Sequence, residues 1–212
     1  MLIISIDIDG ESGIIKMKDV NVLEQAKTRD HKIDITDIAI SKISRVDLSD
    51  FSEEQCITMQ EKHKALLRTA QMQNGSNEVL FIDDLEFTSE VTVLGDEFKV
   101  SPAKNPFAVS VIINADRQSL IYMHNHPSTN NFSIGDIDTF VCEKAIKVMS
   151  VVTNQGDVYI MNKLSTYSYN NTRSLLNDIY NSFPDGEIDD REFVSIFLKR
   201  CKEGGIEYAR SR

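Results

Sequence analysis

The chain has 212 residues, of which 41% are hydrophobic and 26% are charged, an ordinary mix for a folded globular protein. This composition excludes disorder over the whole chain, and the length accommodates one domain with extensions or two small domains. The 33 acidic and 23 basic residues give a formal net charge of −10. Because an acidic chain is not attracted to phosphates, nucleic acid is not an expected partner.

Cysteine usage and the first residues of the chain bear on its compartment. Cys56, Cys142 and Cys201 lie far apart without a C-x-x-C pair, which is typical of reduced thiols in a cytoplasmic protein. The apolar N-terminal run is interrupted by Asp7 and Asp9 and lacks a basic region, so it predicts a strand rather than a signal peptide. No apolar stretch approaches the roughly 18 residues of a membrane span. We therefore expect a soluble, cytoplasmic protein.

The sequence pattern divides the chain into three regions. Residues 1–50 alternate short apolar and polar runs and are predicted to form an N-terminal extension. Residues 51–165 alternate helical and extended patterns and form the predicted core. Residues 166–212 carry two helical patterns and are predicted to form a helical appendage.

The first half of the core predicts one long helix followed by strands. Ser52 stands at a helix N-cap with Gln55 three residues on, and the predicted helix runs to Met72 with an apolar stripe formed by Ile57, Leu66, Leu67 and Ala70. The segment QNGSN breaks this helix. The segments EVLFIDDLEF and SEVTVLGDEFKV, with Asp-Asp and Gly-Asp at their turns, predict two or three antiparallel strands.

The second half of the core continues with alternating helices and strands. Asn105-Pro106 begins a second helix, since proline suits the first helical position. SLIYMHNHP predicts a buried strand that ends at Pro127, and Ser133 begins a third helix that runs to about Met149. VMSVVTNQGDVYIMNK predicts a hairpin, and TRSLLNDIYNSF and DREFVSIFLKRCKEGG predict two final helices. This order of elements is typical of an α+β fold.

Four polar residues around the end of the predicted buried strand have the spacing of a metal site. His124 and His126 are separated by one residue, so both side chains point to one face of a strand. Ser133 and Asp136 are three residues apart and share a face of the first turn of the next helix. Two imidazoles and one carboxylate, with a fourth position open, form the ligand set of a catalytic zinc site.

This motif resembles the signature of a known family. His124-x-His126-Pro127 followed by Ser133-x-x-Asp136 is similar to the metal-binding motif of the JAMM (MPN-type) metalloprotease superfamily, especially bacterial and phage-type JAB domains and RadC-like proteins. One residue fewer than in the usual family pattern separates the second histidine from the aspartate. The shortening falls in the loop STNNF, which absorbs it more readily than a strand.

The resemblance extends from about residue 78 to 163 and implies both a fold and an activity. The implied fold is a JAB/MPN-like mixed sheet packed between helices. His124, His126 and Asp136 would bind Zn²⁺, Ser133 would polarise the substrate carbonyl or stabilise the oxyanion, and an upstream glutamate would act as general base. The implied reaction is hydrolysis of a peptide or isopeptide bond in a protein or peptide, with ubiquitin-like conjugates among the substrates. The implied source is a bacterium or phage.

Three glutamates precede the histidine pair at positions where this general base could lie. We prefer Glu78, because it follows the QNGSN break and begins the predicted strand VLFIDD, where the resemblance places the base. Glu86 and Glu90 stay open as alternatives, with Glu86 at a turn after the Asp-Asp pair. Asp138 is a second choice for the third metal ligand, although a helix rotates it away from Asp136.

Two other functions stay open at this point. A non-catalytic JAB/MPN-like scaffold would keep the metal or the fold and act by binding partner proteins. A RadC-like protein of DNA metabolism would have to bind nucleic acid, against which the net charge of −10 argues. The complete ligand set favours the enzyme over the scaffold.

Two further motifs are better explained as turns. Asp7-x-Asp9-Gly10 is similar to the first motif of haloacid-dehalogenase phosphatases, but the residues after Gly10 depart from that pattern. Residues 181–193 resemble the second half of an EF-hand loop, but Phe183 stands where calcium requires an oxygen ligand. Each segment therefore predicts a turn next to a strand or helix.

The remaining histidines and one cysteine are interpreted as structural. His31 and His63 each lie next to charged residues and are expected to face solvent. Cys142 follows the predicted metal ligand on the same helix without a histidine at a natural partner spacing, so we expect a small core residue rather than a nucleophile.

Overall fold

A computed structural model describes residues 32–183 and 188–211, and all of these belong to one compact unit. The predicted N-terminal strand with Asp7 and Asp9 lies outside the described residues, as do His31 and the middle of the EF-hand-like segment. Within the described ranges, no helix combines the length and the apolar character needed to cross a membrane.

Six α-helices occur in the described part of the chain. Their bounds are α1 (Asp37–Lys42), α2 (Glu53–Gln73), α3 (Pro106–Asn114), α4 (Ile134–Cys142), α5 (Tyr169–Asn181) and α6 (Asp190–Arg200). The predicted capping box of α2 is confirmed, because Ser52 and Gln55 each bond the backbone N–H of the other. The start of α3 is also confirmed, with the Asn105 side chain accepting from two N–H groups of the first turn. The sequence pattern did not indicate α1.

Six strands form one mixed sheet. They are β1 (Val79–Asp84), β2 (Val91–Leu94), β3 (Leu120–His126), β4 (Ile146–Thr153), β5 (Val158–Lys163) and β6 (Ile206–Arg210), in the spatial order β2-β1-β3-β4-β5-β6. β3 and β4 are parallel, and the other four neighbouring pairs are antiparallel. The predicted antiparallel strands β1 and β2, the buried strand β3 and the β4–β5 hairpin are confirmed.

Each face of the sheet carries its own hydrophobic core. Residues of α1 and α2 pack on one face, against side chains such as Met123 and Val152. Residues of α4, α5 and α6 pack on the other face, together with Ala108 of α3 and side chains such as Tyr122 and Val151. Because strand side chains alternate, β3 and β4 contribute residues to both cores, which explains their continuous apolar runs. This mixed sheet with helices on both faces is compatible with the predicted α+β class.

The third predicted helix extends too far. α4 begins after Ser133 as predicted but ends at Cys142, and β4 begins at Ile146, so the last part of the predicted helix is strand. Carbonyl groups at the end of α4 accept hydrogen bonds from strand and loop residues, including one from Lys163 Nζ to Glu143 O at 2.9 Å. The β-branched residues that follow suit a central strand buried on both faces better than a helix.

Both ends of the described chain pack into the sheet. β6 pairs antiparallel with β5, so the region after residue 165 contributes a strand as well as the two predicted helices. Before residue 51, Ile35 and Ile40 are buried in the core under α2, and Asp50 pairs with Lys147. The predicted boundaries after residues 50 and 165 therefore fall within continuous packing.

Two side chains occupy the opposite environment from the predicted one. His63 is only 2% exposed, and its Nε2 lies 2.8 Å from Ser150 Oγ. The prediction failed because His63 continues the buried stripe of α2 at helical spacing from Met59, whatever the charge of its sequence neighbours. Cys142, predicted to lie in the core, is exposed at the end of α4.

Candidate metal centre

The two motif histidines lie at the carboxyl end of β3. This strand is buried along its whole length between β1 and β4. His124 and His126 alternate with Asn125, so their side chains point to the face that carries α4, as the sequence predicts. The histidine side chains are 6% and 11% exposed, respectively. The strand therefore holds both imidazoles in a nearly buried position with limited access from outside.

Three ligand atoms converge at this end of the sheet. The Nε2 atoms of His124 and His126 are 3.2 Å apart. Asp136 Oδ1 lies 3.3 Å from His124 Nε2, and Asp136 Oδ2 lies 3.4 Å from His126 Nε2. Ligand atoms about 2.0–2.1 Å from a tetrahedral zinc ion lie about 3.3–3.4 Å from one another. Each contact between these groups is close to that spacing, so the two imidazoles and the carboxylate are near enough to bind one zinc ion, and they are the one such group among the described residues.

A backbone carbonyl orients the second histidine. His126 Nδ1 lies 3.2 Å from the carbonyl oxygen of Asn130. Because a carbonyl can only accept, Nδ1 carries the hydrogen, and Nε2 of the neutral ring presents its lone pair toward His124 and Asp136. Metal-binding histidines in proteins are commonly held by such a bond from the ring nitrogen remote from the metal. The loop STNNF supplies this carbonyl.

The N-terminus of α4 orients the carboxylate. Ser133 Oγ accepts from the backbone N–H of Asp136 at 3.1 Å and donates to Asp136 Oδ2 at 2.8 Å. The backbone N–H of Ser133 donates to the same oxygen at 2.7 Å. The capping box that begins α4 therefore also fixes the direction of the Asp136 side chain. Ser133, expected to contact substrate, lies in the cluster and contacts Asp136.

Electrostatics within the cluster favour an ionised carboxylate. Burial opposes ionisation of Asp136, but the two neighbouring histidines outweigh it and hold the pKa of Asp136 well below its usual value. Burial likewise opposes a charge on His126, but the Asp136 carboxylate outweighs this and raises the pKa of His126. An anionic carboxylate beside two imidazoles is the charge state in which this donor set binds a divalent cation.

Glu78 lies beside this cluster. It is 8% exposed and immediately precedes β1, the strand that pairs with β3. Its carboxylate interacts electrostatically with His124, His126 and Asp136. Burial raises the pKa of Glu78 toward neutral pH. The higher pKa makes its carboxylate a stronger base.

The other two candidate bases lie elsewhere. Glu90 forms an ion pair with Lys62 at 3.0 Å, at the opposite end of β2 from Glu78. Glu86 is exposed in the turn after β1. Lys62 also pairs with the fully buried Asp83 at 2.6 Å, which gives the FIDD segment a structural role. Of the three glutamates, Glu78 is thus the one that the fold brings to the histidines.

Asp138, the second choice for the third ligand, points away from the two histidines. The Asp138 side chain is 65% exposed and lies 3.6 Å from Arg173 Nη1 on α5. The helix rotation predicted from its spacing to Asp136 accounts for this position. Sequence reasoning missed the Asn130 carbonyl, since a backbone acceptor leaves no signal in residue type.

No protein-family model matches this chain, and neither a curated protein nor a solved structure matches it. The site is therefore interpreted from its own geometry and chemistry.

Proposed function

We propose that the protein is a zinc-dependent hydrolase of peptide or isopeptide bonds. The observation that carries the proposal is the convergence of His124, His126 and Asp136, with the buried carboxylate of Glu78 within their electrostatic influence. Two nitrogen ligands and one oxygen ligand favour Zn²⁺ over Mg²⁺ or Ca²⁺, which prefer all-oxygen sites. Three protein ligands leave a coordination position open, as in catalytic rather than structural zinc sites.

The motif supports the same proposal by resemblance. The HNHP segment and the Ser-x-x-Asp pair are similar to the signature of the JAMM metalloprotease superfamily. A mixed sheet with helices on both faces is compatible with the fold that this resemblance implies. We accordingly propose a bacterial or phage-type JAB domain.

In the proposed mechanism, His124, His126 and Asp136 would hold Zn²⁺, and Glu78 would move the proton. When bound, Zn²⁺ supplies a Lewis acid that polarises a carbonyl and lowers the pKa of water. The Glu78 carboxylate accepts a proton from the attacking water and donates it to the leaving amine. Its burial keeps bulk water away and raises its pKa, and both effects suit repeated transfer of one proton.

Ser133 has a positioning role in this mechanism. Its hydroxyl hydrogen is directed at Asp136 Oδ2, so its contacts support orientation of the carboxylate. Polarisation of the substrate carbonyl, the role that the family resemblance implies, requires the hydroxyl to turn away from Asp136. We propose orientation of Asp136 as its main function.

The proposal is tested by cleavage assays on zinc-loaded protein. The panel contains a peptide library, linear fusions of ubiquitin-like proteins and isopeptide-linked conjugates, analysed by mass spectrometry. We expect cleavage of at least one class by the wild type, loss of cleavage with a chelator, and a decrease of about 10²- to 10⁴-fold in Glu78→Gln, the usual contribution of a general base. Glu86→Gln is the matched control and should retain full activity.

Two results would contradict the proposal. Equal cleavage by the wild type and Glu78→Gln would remove the assigned base. Zinc binding without cleavage of any amide in the panel would instead support the non-catalytic scaffold, in which the site stabilises a surface for partner proteins.

A further inference from the structure

Asn125, the residue between the two histidines, makes an unusual set of contacts. Its side chain is fully buried. Its Oδ1 accepts from the backbone N–H of Val79 at 2.7 Å, and its Nδ2 donates to the carbonyl of Asn77 at 3.1 Å and to Asn154 Oδ1 at 2.8 Å. Val79 and Asn77 are the two sequence neighbours of Glu78. One side chain therefore holds the backbone on both sides of the proposed base.

The Asn125 side chain connects β1 to β3 just past the point where backbone pairing between the two strands ends. Backbone pairing between β1 and β3 begins at Asp84 and Leu120 and ends at Leu80 and His124. The residues around Glu78 lie just past this end, so their position relative to β3 depends on the Asn125 amide. On the other side, the Glu78 backbone bonds Gly95 and Asp96.

The orientation of the Asn125 amide is determined by Asn154. The Nδ2 group of Asn154 donates to the carbonyls of Ile33 at 2.7 Å and Ser76 at 2.9 Å, which uses both of its hydrogens. Its Oδ1 must then face Asn125 as an acceptor, so Asn125 presents Nδ2 to it and Oδ1 to Val79. The backbone N–H of Asn154 also donates to the His126 carbonyl at 3.0 Å.

We propose that Asn125 is the positioning residue for Glu78, a role that rests on the proposed function of Glu78 as general base. By fixing the Asn77 carbonyl and the Val79 N–H, Asn125 fixes the two peptide planes that flank Glu78, and thereby the direction of its side chain. Since Asn125 is part of the same strand as His124 and His126, the base and the two proposed histidine ligands are held by one rigid element.

Asparagine is the residue that these contacts require. The site needs one acceptor and two donors in one plane, which the carboxamide provides. Aspartate lacks the donors for Asn77 and Asn154, leucine has the shape but neither group, and serine is one bond too short for both contacts. An unpaired buried N–H or carbonyl is costly, so the flanking backbone is expected to shift when the amide is removed.

The test compares Asn125→Leu and the smaller Asn125→Ser with the matched control Asn162→Leu. Asn162 is also fully buried, on β5, where its amide bonds Asp50 and Glu207. Metal-free protein is used for two NMR measurements: hydrogen exchange of the Val79 amide, corrected for global stability, and the ¹³C shift of the Glu78 side-chain carboxyl, assigned by its loss in Glu78→Gln.

We expect Val79 exchange to increase by about tenfold or more in both Asn125 variants relative to Asn162→Leu, as for loss of one buried hydrogen bond. The Glu78 carboxyl signal should move in the Asn125 variants and stay in place in the control. Unchanged Val79 exchange and an unchanged Glu78 signal in a folded Asn125 variant would overturn the proposal. Neither measurement needs metal or substrate. A failure of the positioning proposal can therefore be distinguished from a failure of the hydrolase proposal.

A kinetic arm applies once a cleaved substrate is identified. Asn125→Leu should lower kcat with little change in KM, and it should add little to the effect of Glu78→Gln, because both act through the same carboxylate. Fully additive effects in the double variant would contradict a role through Glu78.

Discussion

Two nearly buried histidines on opposite faces of one sheet have opposite chemistry. His63, on the α2 face, contacts the neutral hydroxyl of Ser150, and burial lowers its pKa to about 3. His126, on the α4 face, lies beside the carboxylate of Asp136, which raises its pKa against the effect of burial. Burial is similar in the two positions, so the partners make the difference.

The comparison shows why convergence, rather than burial, marks the candidate site. His63 contacts one hydrogen-bonding partner, which is neutral. Its other surroundings are the hydrophobic core residues of α2. At the end of β3, two rings and a carboxylate bring their acceptor atoms together within 4.8 Å, an arrangement that a divalent cation stabilises. The following predictions test this difference, beginning with the largest expected effect.

Asp136, the proposed third ligand, gives the largest expected contrast. Asp136→Ala should lower zinc affinity by more than about 100-fold, since loss of an outer-shell contact alone costs 10- to 100-fold. Asp138→Ala, two residues further along the same helix and 65% exposed, should leave the affinity unchanged. Competition with a chromogenic chelator measures both constants. Equal losses in the two variants would show that acidic charge on α4, rather than ligation, determines binding.

Because His63 is buried in its neutral form, we expect the folded protein to lose stability in acid. Below about pH 6.5 the unfolded chain gains a proton at this residue, whereas the folded protein excludes it down to about pH 3. The contribution of His63 is therefore complete above pH 6.5 and is lost as the pH falls. Between pH 7 and pH 5 the expected loss is about 2 kcal/mol in the free energy of unfolding.

The control for this prediction removes both partners. In the variant His63→Leu/Ser150→Ala no polar group is left unpaired, and urea unfolding at pH 7 and pH 5 should show an acid loss smaller by about 2 kcal/mol than in the wild type. The same loss in both proteins would place the acid-sensitive group elsewhere.

The capping boxes of α4 and α2 should differ in their effect on zinc affinity but not in their effect on stability. Ser133→Ala removes the N-cap of α4 and should reduce stability by about 1 kcal/mol and zinc affinity by about 10- to 100-fold. Ser52→Ala removes the equivalent box of α2, on the opposite face of the sheet from His124 and His126, and should reduce stability to the same extent with no change in zinc affinity. Equal zinc affinities in the two variants would reduce Ser133 to a helix cap.

Much of the fold was predictable from local signals. Ser52, Asn105 and Ser133 identified helix starts because their side chains bond N–H groups a few residues away. The end of α4 was not predictable in this way, because the contact of Lys163 with that end joins residues distant in sequence. β6 was missed for the same reason, since its pairing with β5 is long-range.

The candidate site was predictable where spacing determines geometry. His124 and His126 share a face because strands alternate, and Ser133 lies near Asp136 because they occupy one helical turn. Glu78 was chosen from three glutamates because it begins the strand where the family resemblance places the base, and in the fold it is the one that interacts electrostatically with the cluster. His63 was misjudged because charged neighbours were taken to indicate exposure, whereas the helical stripe from Met59 decides it. The Asn125 network joins four separate segments and left no local signal.

Zinc content tests the central claim most directly. Elemental analysis of protein purified without chelator should give about one zinc per chain in the wild type and in His63→Gln, and none in His126→Ala or Asp136→Ala. That result would separate the ligating histidines from the structural one. Absence of zinc from the wild type after reconstitution, or the same zinc content in His126→Ala, would contradict the account.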